Sequence, residues 1–178
     1  VLPGMQAAFV DIGREKNAFL YYGNNKDDNG NVIKPKAGND VIVQVEKAEI
    51  GSKGSVLTKK ISFPGKFLVI IPNDNKIGIS KITDNEERQR IKDIVRGLLP
   101  EGFGAIIRTD GEGKSYEVYK KEIDRLVSIS EGVLKKAEYI KAPAMLYTDV
   151  NGAEKAVRDY FHEDIDEIVV NSSEDYNT

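Results

Sequence analysis

Arg108 and Thr109 are the residues of this sequence best suited to bind a terminal phosphate. They end an apolar, strand-like segment and precede the glycine-containing loop 110–114. The planar guanidinium of an arginine can bind two phosphate oxygens at once, and a threonine adds a hydroxyl and a backbone donor. On spacing alone, an ordinary surface arginine beside a strand-end threonine is the simpler interpretation.

The loop after Arg108 contains Gly113, Lys114 and Ser115, a triplet that also occurs in nucleotide-binding P-loops. That motif requires a further glycine five positions before its Gly-Lys pair, and Arg108 occupies this position. We therefore exclude ATP or GTP binding at this loop.

A second candidate site comprises two phenylalanines and a lysine nearer the start of the chain. Phe9 and Phe19 fall on adjacent predicted strands with a glycine-bearing turn between them. Two aromatic rings on one exposed face would stack nucleic-acid bases, and Lys53 in the later turn 51–54 would follow the phosphate backbone. Composition alone favours the alternative in which both phenylalanines are core residues.

The elements that must position these residues change in type near residue 63. Residues 1–62 contain short strand-like segments with no helical pattern among them, which predicts a small sandwich or barrel. These segments are 5–11, 18–22, 41–46 and 55–61. The loop 23–31 between them is polar and glycine-containing.

Residues 63–178 combine strands with helices, so the whole chain is predicted to be an α+β protein. Strands are expected at 66–71 and 103–109, and helices at 84–99 and 115–142. Asp84 followed by Glu87 resembles a capping box, in which the two side chains accept hydrogen bonds from backbone amides of the first helical turn. The end of the chain predicts a strand–helix–strand unit at 144–148, 152–162 and 168–170.

Charge and composition limit the possible functions. The net charge is −3, but residues 1–142 hold 24 basic against 20 acidic side chains, whereas 143–178 hold 2 against 9. A local basic patch is therefore compatible with nucleic-acid binding. The absence of cysteine excludes disulfides and thiolate metal sites, and the single histidine, His162, excludes a histidine-rich metal site. No apolar run approaches the ~18 residues that cross a bilayer. A cytoplasmic protein is expected, which the absence of cysteine fits.

The segment 162–167, which begins at His162, is a further place where carboxylates could hold a metal ion. Consecutive acidic residues at a helix end more often form a solvated turn. We therefore assign no metal ligand and no catalytic residue in this chain.

Several separated motifs, in this order, resemble the ribonuclease E/G family. The segments AAFVDIG (7–13), NAFL (17–20), GNDVIVQV (38–45) and KGSVLT (53–58) are similar to its S1-type OB-fold. The segments SFPGKFLVIIPN (62–73), GIS (78–80) and LPEGFGAIIRT (99–109) are similar to its 5′-sensor domain. Residues 153–171 resemble the start of its RNase H-like subdomain.

This resemblance implies three domains. An S1-type OB-fold barrel would cover 1–62, with its first strand missing upstream of the chain. A 5′-sensor α/β domain would cover 63–142, and a partial RNase H-like β-α-β segment would cover 143–178.

The resemblance also implies the binding residues. Phe9, Phe19 and Lys53 match family residues that contact single-stranded RNA. The family residues that hold the 5′ monophosphate and lie against the terminal nucleotide match Arg108, Thr109, Gly65 and Val69. Lys81 is a candidate for an extra cation, although the family usually has two basic residues after Gly-Ile-Ser and here Ile82 follows Lys81.

The resemblance further implies that the parent protein is a homo-oligomeric endoribonuclease. It would use Mg²⁺ to cleave single-stranded RNA, preferably 5′-monophosphorylated, in rRNA and tRNA processing and mRNA decay. The family's metal-binding aspartates and its cysteine pair for structural zinc lie C-terminal to these motifs, so we expect no cofactor in this chain and no nuclease activity from it alone. Two alternatives stay open: a stand-alone OB-fold that binds RNA, and an OB-fold that binds proteins.

Overall fold

The computed structural model describes residues 1–25, 30–51, 53–82, 84–149, 152–161 and 165–173, apart from the side chain of Ala153. The chain divides into two compact units, 1–62 with 131–146, and 63–130 with 147–178. Two four-stranded mixed sheets and three α-helices are present in these residues, which confirms the predicted α+β class. None of the described helices is long and apolar enough to span a membrane.

A mixed sheet with the order β1-β2-β4-β3 forms the first unit. Its strands are β1 (Ala7–Val10), β2 (Ala18–Tyr21), β3 (Gln44–Lys47) and β4 (Val56–Thr58). β2 pairs antiparallel with β1 and parallel with β4, and β3 pairs antiparallel with β4. Ala18, Leu20 and Leu57 are buried on one face of this sheet and form a core cluster.

The predicted strand 41–46 is observed only from Gln44 onward. Val43 packs against the core cluster, but Val45 is exposed. The register between β3 and β4 shifts between Val45 and Lys47, and such a bulge interrupts the alternation of buried and exposed side chains.

The second unit contains a sheet with the order β5-β6-β8-β7. Its strands are β5 (Phe63–Pro64), β6 (Leu68–Pro72), β7 (Ile77–Ile79) and β8 (Phe103–Ile107). β6 is antiparallel to both β5 and β8, whereas β7 is parallel to β8. The alternate residues of β6 and β8 that face the core are fully buried, and they are Leu68, Ile70, Ala105 and Ile107.

Two helices, α1 (Asn85–Leu98) and α2 (Tyr116–Ala137), accompany this sheet in sequence. Asp84 caps α1 as predicted, since its Oδ1 accepts hydrogen bonds from the amides of Glu86 and Glu87 at 2.8 and 3.1 Å. The helix α2 ends at Ala137 and not near residue 142: the amides of Glu138 and Tyr139 donate to the carbonyls three residues back, which tightens the last turn, and Tyr139 is exposed.

The predicted strand–helix–strand unit at the end of the chain is wrong in its strands. Its helix is observed as α3 (Gly152–Tyr160), but neither 144–148 nor the described segment 165–173 forms a strand. A strand needs a partner strand for its backbone groups, and neither segment is paired with a strand of the two described sheets; Val169 is 81% exposed. His162 and the two acidic residues after it lie outside the described residues, while Asp166 and Glu167 are exposed.

Candidate nucleic-acid interface

Phe9 and Phe19 form an aromatic pair on the open face of the first sheet. They are directly opposed in the β1–β2 register, with ring centroids 6.0 Å apart and ring planes at 71°. Phe9 is 57% exposed and Phe19 is half-buried, whereas Ala18 and Leu20 on either side of Phe19 face the core. The core-residue interpretation is therefore wrong for Phe9, and the pair is available to a ligand.

Lys53 lies in a tight turn next to the same strand. Its backbone exchanges two hydrogen bonds with Ile50, and two residues later Ser55 O accepts from the Phe19 amide at 2.8 Å. The side chain of Lys53 is exposed and forms no hydrogen bond or ion pair with another described residue. Its position at the end of this sheet agrees with the predicted role, which stays a prediction.

The second unit brings Arg108 and Gly65 together, although 43 positions separate them in the sequence. Arg108 follows β8, and its amide donates to Phe67 O at 2.8 Å. The Nη1 atom of Arg108 donates to Gly65 O and to Asp159 Oδ1, both at 2.8 Å. The side chain of Arg108 retains 30% of its exposure, so its guanidinium is anchored but still accessible.

Thr109 and Val69 lie close to Arg108 in the chain or in the sheet. Thr109 is exposed and begins a short 3-10 turn, Thr109–Gly111. Val69 is opposite Ile106 in the β6–β8 register and is half-buried. Because side chains alternate along a strand, Val69 and Arg108 share the sheet face opposite to the core. We call Gly65, Val69, Arg108 and Thr109 the phosphate site.

Lys81 lies near the end of the sheet at which β8 reaches Arg108, but it forms no described contact with the phosphate site. β7 is parallel to β8, and the Ser80 amide donates to Ile107 O at 2.9 Å, so both strands end on this side. Lys81 is exposed, whereas Ile82, where the family usually has a second basic residue, is buried. A single cation is thus available from this segment.

Two further lysines surround Phe67, the residue paired with Arg108. The ammonium groups of Lys66 and Lys114 lie 5.8 and 5.4 Å from the centre of the Phe67 ring. At such distances the electron-rich ring face attracts the cations. Lys66 and Lys114 therefore place two cations beside the residue whose carbonyl accepts from the Arg108 amide.

The loop after Arg108 is fixed to α1 by an ion pair. Glu87 Oε1 accepts from the Gly113 amide at 2.8 Å, and Arg90 donates both to Glu87 and to Lys114 O. The hydrogen bonds from Arg90, and then from Gly113, lower the pKa of Glu87 to about 2. Glu87 and Arg90 therefore both stay charged at neutral pH.

Glu122 is an important residue that the sequence analysis did not identify. It is buried on α2, and its carboxylate accepts from the amides of Lys66, Phe67 and Leu68 at 2.7, 2.9 and 3.1 Å. Buried polar groups need such partners, so Glu122 fixes the loop that follows Gly65. The available signal was an acidic residue within the buried helix face that also contains Tyr119, Ile123 and Leu126.

Replacing Gly65 by alanine is expected to lower the free energy of unfolding by ~1–3 kcal/mol, measured by chemical denaturation. A Cβ at Gly65 would lie 2.7 Å from the carboxylate of Glu122 and 2.9 Å from Leu126 Cδ1, so the loop would have to move.

Gly132→Ala is the matched control, because a Cβ there meets nothing within 4 Å in α2. This second change should stabilise the protein by ~0.5–1 kcal/mol. Equal effects of the two substitutions would contradict the close packing at Gly65.

The end of α3 contributes Arg158 and Asp159, neither of which was predicted. Arg158 donates to Pro64 O at 3.3 Å and to both carboxylate oxygens of Asp149 at 3.0 Å. Asp159 receives hydrogen bonds from Arg158 and Arg108, which lower its pKa to about 2. These contacts hold α3 against the phosphate site.

No group of three or more histidine, cysteine or acidic side chains in the described part of the chain could hold a metal ion. The described residues therefore offer no ligand set for the Mg²⁺ expected for the parent enzyme.

The chain resembles known ribonucleases along nearly its whole length. Residues 62–178 match the sequence model of the Ribonuclease E/G family. Ribonuclease E of Escherichia coli (strain K12) is 37% identical over 96% of this chain and 17% of its own length. A putative ribonuclease E of Buchnera aphidicola subsp. Baizongia pistaciae is 37% identical over 97% of this chain and 45% of its own. Ribonuclease G of Haemophilus influenzae is 34% identical over 97% of this chain and 38% of its own length. The chain thus spans less than half the length of each of these relatives.

Proposed function

Because this chain belongs to the ribonuclease E/G family, we propose that it binds single-stranded RNA and recognises a 5′ monophosphate at the phosphate site. The observation that carries the proposal is the anchored guanidinium of Arg108, which Gly65 O holds at 2.8 Å beside the exposed Thr109. A stand-alone RNA-binding or protein-binding OB-fold has no need for such a site.

The chemistry of this site fits a terminal phosphoryl group. A monophosphate offers several oxygens with full or partial negative charge, and arginine can bind two of them with parallel N–H groups. Thr109 adds its hydroxyl, and Lys66 and Lys114 near Phe67 add positive charge. A 5′ triphosphate would bring two further phosphoryl groups to the single anchored guanidinium, so we expect it to bind less well.

The aromatic pair in the first unit has a separate role in the proposal. Phe9 and Phe19 would stack the bases of single-stranded RNA, and Lys53 would contact its backbone. In this interpretation residues 1–62 are the S1-type OB-fold and 63–142 the 5′-sensor domain. Base stacking tolerates any sequence, so we expect little sequence preference.

We further propose that the parent protein is a cytoplasmic, homo-oligomeric endoribonuclease acting in rRNA and tRNA processing and in mRNA decay. In that enzyme Mg²⁺ would activate water and offset the charge of the scissile phosphate. The residues of this chain would bind and orient the RNA rather than cleave it.

Binding of short single-stranded RNAs with a 5′ monophosphate, triphosphate or hydroxyl tests the proposal. The monophosphate should bind best, and affinity should fall as salt displaces the phosphate contacts. Equal binding of all three ends would favour a stand-alone RNA-binding module. Absence of RNA binding at moderate salt would favour the protein-binding alternative.

Phe9→Ala is expected to weaken RNA binding by ~1–3 kcal/mol, whichever group is at the 5′ end. The substitution removes a stacking surface in the first unit and leaves Arg108 intact. Fluorescence anisotropy with monophosphate and hydroxyl RNAs measures the effect. Tyr139→Ala, which removes a 77% exposed ring after α2, is the control and should change neither affinity. Unchanged binding by folded Phe9→Ala protein would rule out stacking on Phe9.

A further inference from the structure

We propose that Asp159 is a positioning residue of the phosphate site, which fixes one nitrogen of the Arg108 guanidinium so that the opposite edge faces the phosphoryl group. This inference rests on the proposed function. It adds to that function a residue of α3 to which neither the sequence motifs nor the family resemblance assigned a role.

The hydrogen bonds of Arg108 are distributed unevenly over its guanidinium. Nη1 has two hydrogens, and both are used, by Gly65 O and by Asp159 Oδ1 at 2.8 Å each. Nε and Nη2 form no hydrogen bond with any residue in the described ranges. Their parallel N–H groups form the edge that binds two oxygens of one phosphate. Asp159 thus occupies the atom that a bidentate ligand does not need.

Asp159 is itself held firmly enough to fix another side chain. Arg158 donates from Nε to Asp159 Oδ1 at 3.1 Å and from Nη2 to Oδ2 at 3.3 Å. Arg158 is in turn bound by Asp149 and by Pro64 O, and its side chain is only 13% exposed. The carboxylate of Asp159 is 15% exposed. It stays ionised, because the hydrogen bonds from Arg158 and then from Arg108 lower its pKa to about 2.

The opposite interpretation treats Asp159 as a competitor that must leave before phosphate binds. A competing carboxylate would be expected to take the Nε–Nη2 edge with two oxygens, since that geometry is the strongest. Here a single oxygen contacts Nη1, and the neighbouring Arg158 offsets its charge. A guanidinium that is already fixed also loses less conformational freedom when the ligand binds. These observations favour positioning over competition.

The two interpretations predict opposite results for Asp159→Ala. We expect this change to lower the affinity ratio of monophosphate over hydroxyl RNA by about tenfold. Hydroxyl RNA should bind as before, since it has no phosphoryl group at Arg108. Asp159→Asn should keep most of the ratio, because its amide oxygen still accepts from Nη1. The control is Asp124→Ala, which removes an exposed carboxylate of α2 paired with Lys120 and should leave the ratio unchanged.

A higher or unchanged ratio in Asp159→Ala would overturn the positioning role. Circular dichroism establishes that each variant is folded at the temperature used. Should Asp159→Ala not fold, Asp159→Asn decides: its neutral amide oxygen holds Nη1 less firmly, so a ratio somewhat below that of wild type supports the role, and an unchanged or higher ratio overturns it.

The state of Arg108 without RNA provides an independent readout. In wild-type protein the Nη1 protons should give separate, slowly exchanging NMR signals, and in Asp159→Ala these should merge or disappear. If wild-type protein prefers monophosphate RNA but Asp159→Ala changes neither the ratio nor these signals, only the positioning role fails. If wild-type protein shows no monophosphate preference, the proposed function fails, and the role of Asp159 in phosphate recognition fails with it.

Discussion

Replacing Arg108 by alanine is expected to abolish the preference for 5′-monophosphate over 5′-hydroxyl RNA. Hydrogen bonds to charged groups contribute ~1.5–3 kcal/mol, so monophosphate RNA should lose about 10- to 150-fold in affinity. Hydroxyl RNA has no phosphoryl group at this position and should lose little. Anisotropy titrations of the same RNA sequence with the two ends measure the ratio directly.

The control variants for Arg108 separate its shape from its charge. Arg108→Lys keeps a cation but lacks the planar fork and the second edge, so it should restore only a small part of the ratio. Arg96→Ala removes a 60% exposed arginine of α1 that pairs with Asp93, and it should leave the ratio unchanged. If Arg108→Ala weakened both RNAs equally, Arg108 would be a general contact to the RNA backbone and not a sensor of its end.

Features with a local cause were predictable from the sequence. Asp84 begins α1 as expected, because a cap needs only the two or three amides that follow it. The exposure of Phe9 was predictable in part as well. Ala18 and Leu20 flank Phe19 on β2, and the two-residue period of a strand turns the aromatic pair away from the face that these residues bury.

The contacts that build the phosphate site depend on sheet order, which the sequence pattern does not contain. Gly65 meets Arg108 because β6 pairs with β8, although β7 is the strand that follows β6 in the chain. Glu122 reaches the same loop from 54 to 56 positions away, and Asp159 reaches Arg108 from 51. The family resemblance indicated Gly65 and Arg108. No local motif indicates the carboxylates of Glu122 and Asp159.

The wrong strand predictions near the end of the chain have a related cause. Segments such as 168–170 have the apolar and β-branched residues that favour strands. That preference describes a side chain on a sheet surface and does not supply a partner strand. The predicted 5′-sensor and S1-type assignments likewise stay predictions, because strand order alone does not identify a domain family.

Glu122→Ala is expected to lower the free energy of unfolding by ~3 kcal/mol or more. The change leaves the amides of Lys66, Phe67 and Leu68 without their acceptor; the Leu68 amide is buried and the other two are partly buried, and an unsatisfied buried group costs ~1–3 kcal/mol. Urea denaturation measures the loss. Glu131→Ala, which removes an exposed carboxylate later on α2, should change the free energy of unfolding by less than ~0.5 kcal/mol.

The local consequence of this change connects folding with binding. Hydrogen exchange of the three amides should accelerate in Glu122→Gln, because the new NH₂ group places a donor against donors while the carbonyl keeps only part of the interaction. Gly65 and Phe67 contact Arg108 from the same loop, so folded Glu122→Gln protein should also lose part of its monophosphate preference. RNA stacking on Phe9 in the other unit should not change. Loss of stability below ~1 kcal/mol in Glu122→Ala would mean that water replaces the carboxylate, and that the loop does not depend on α2 for its shape.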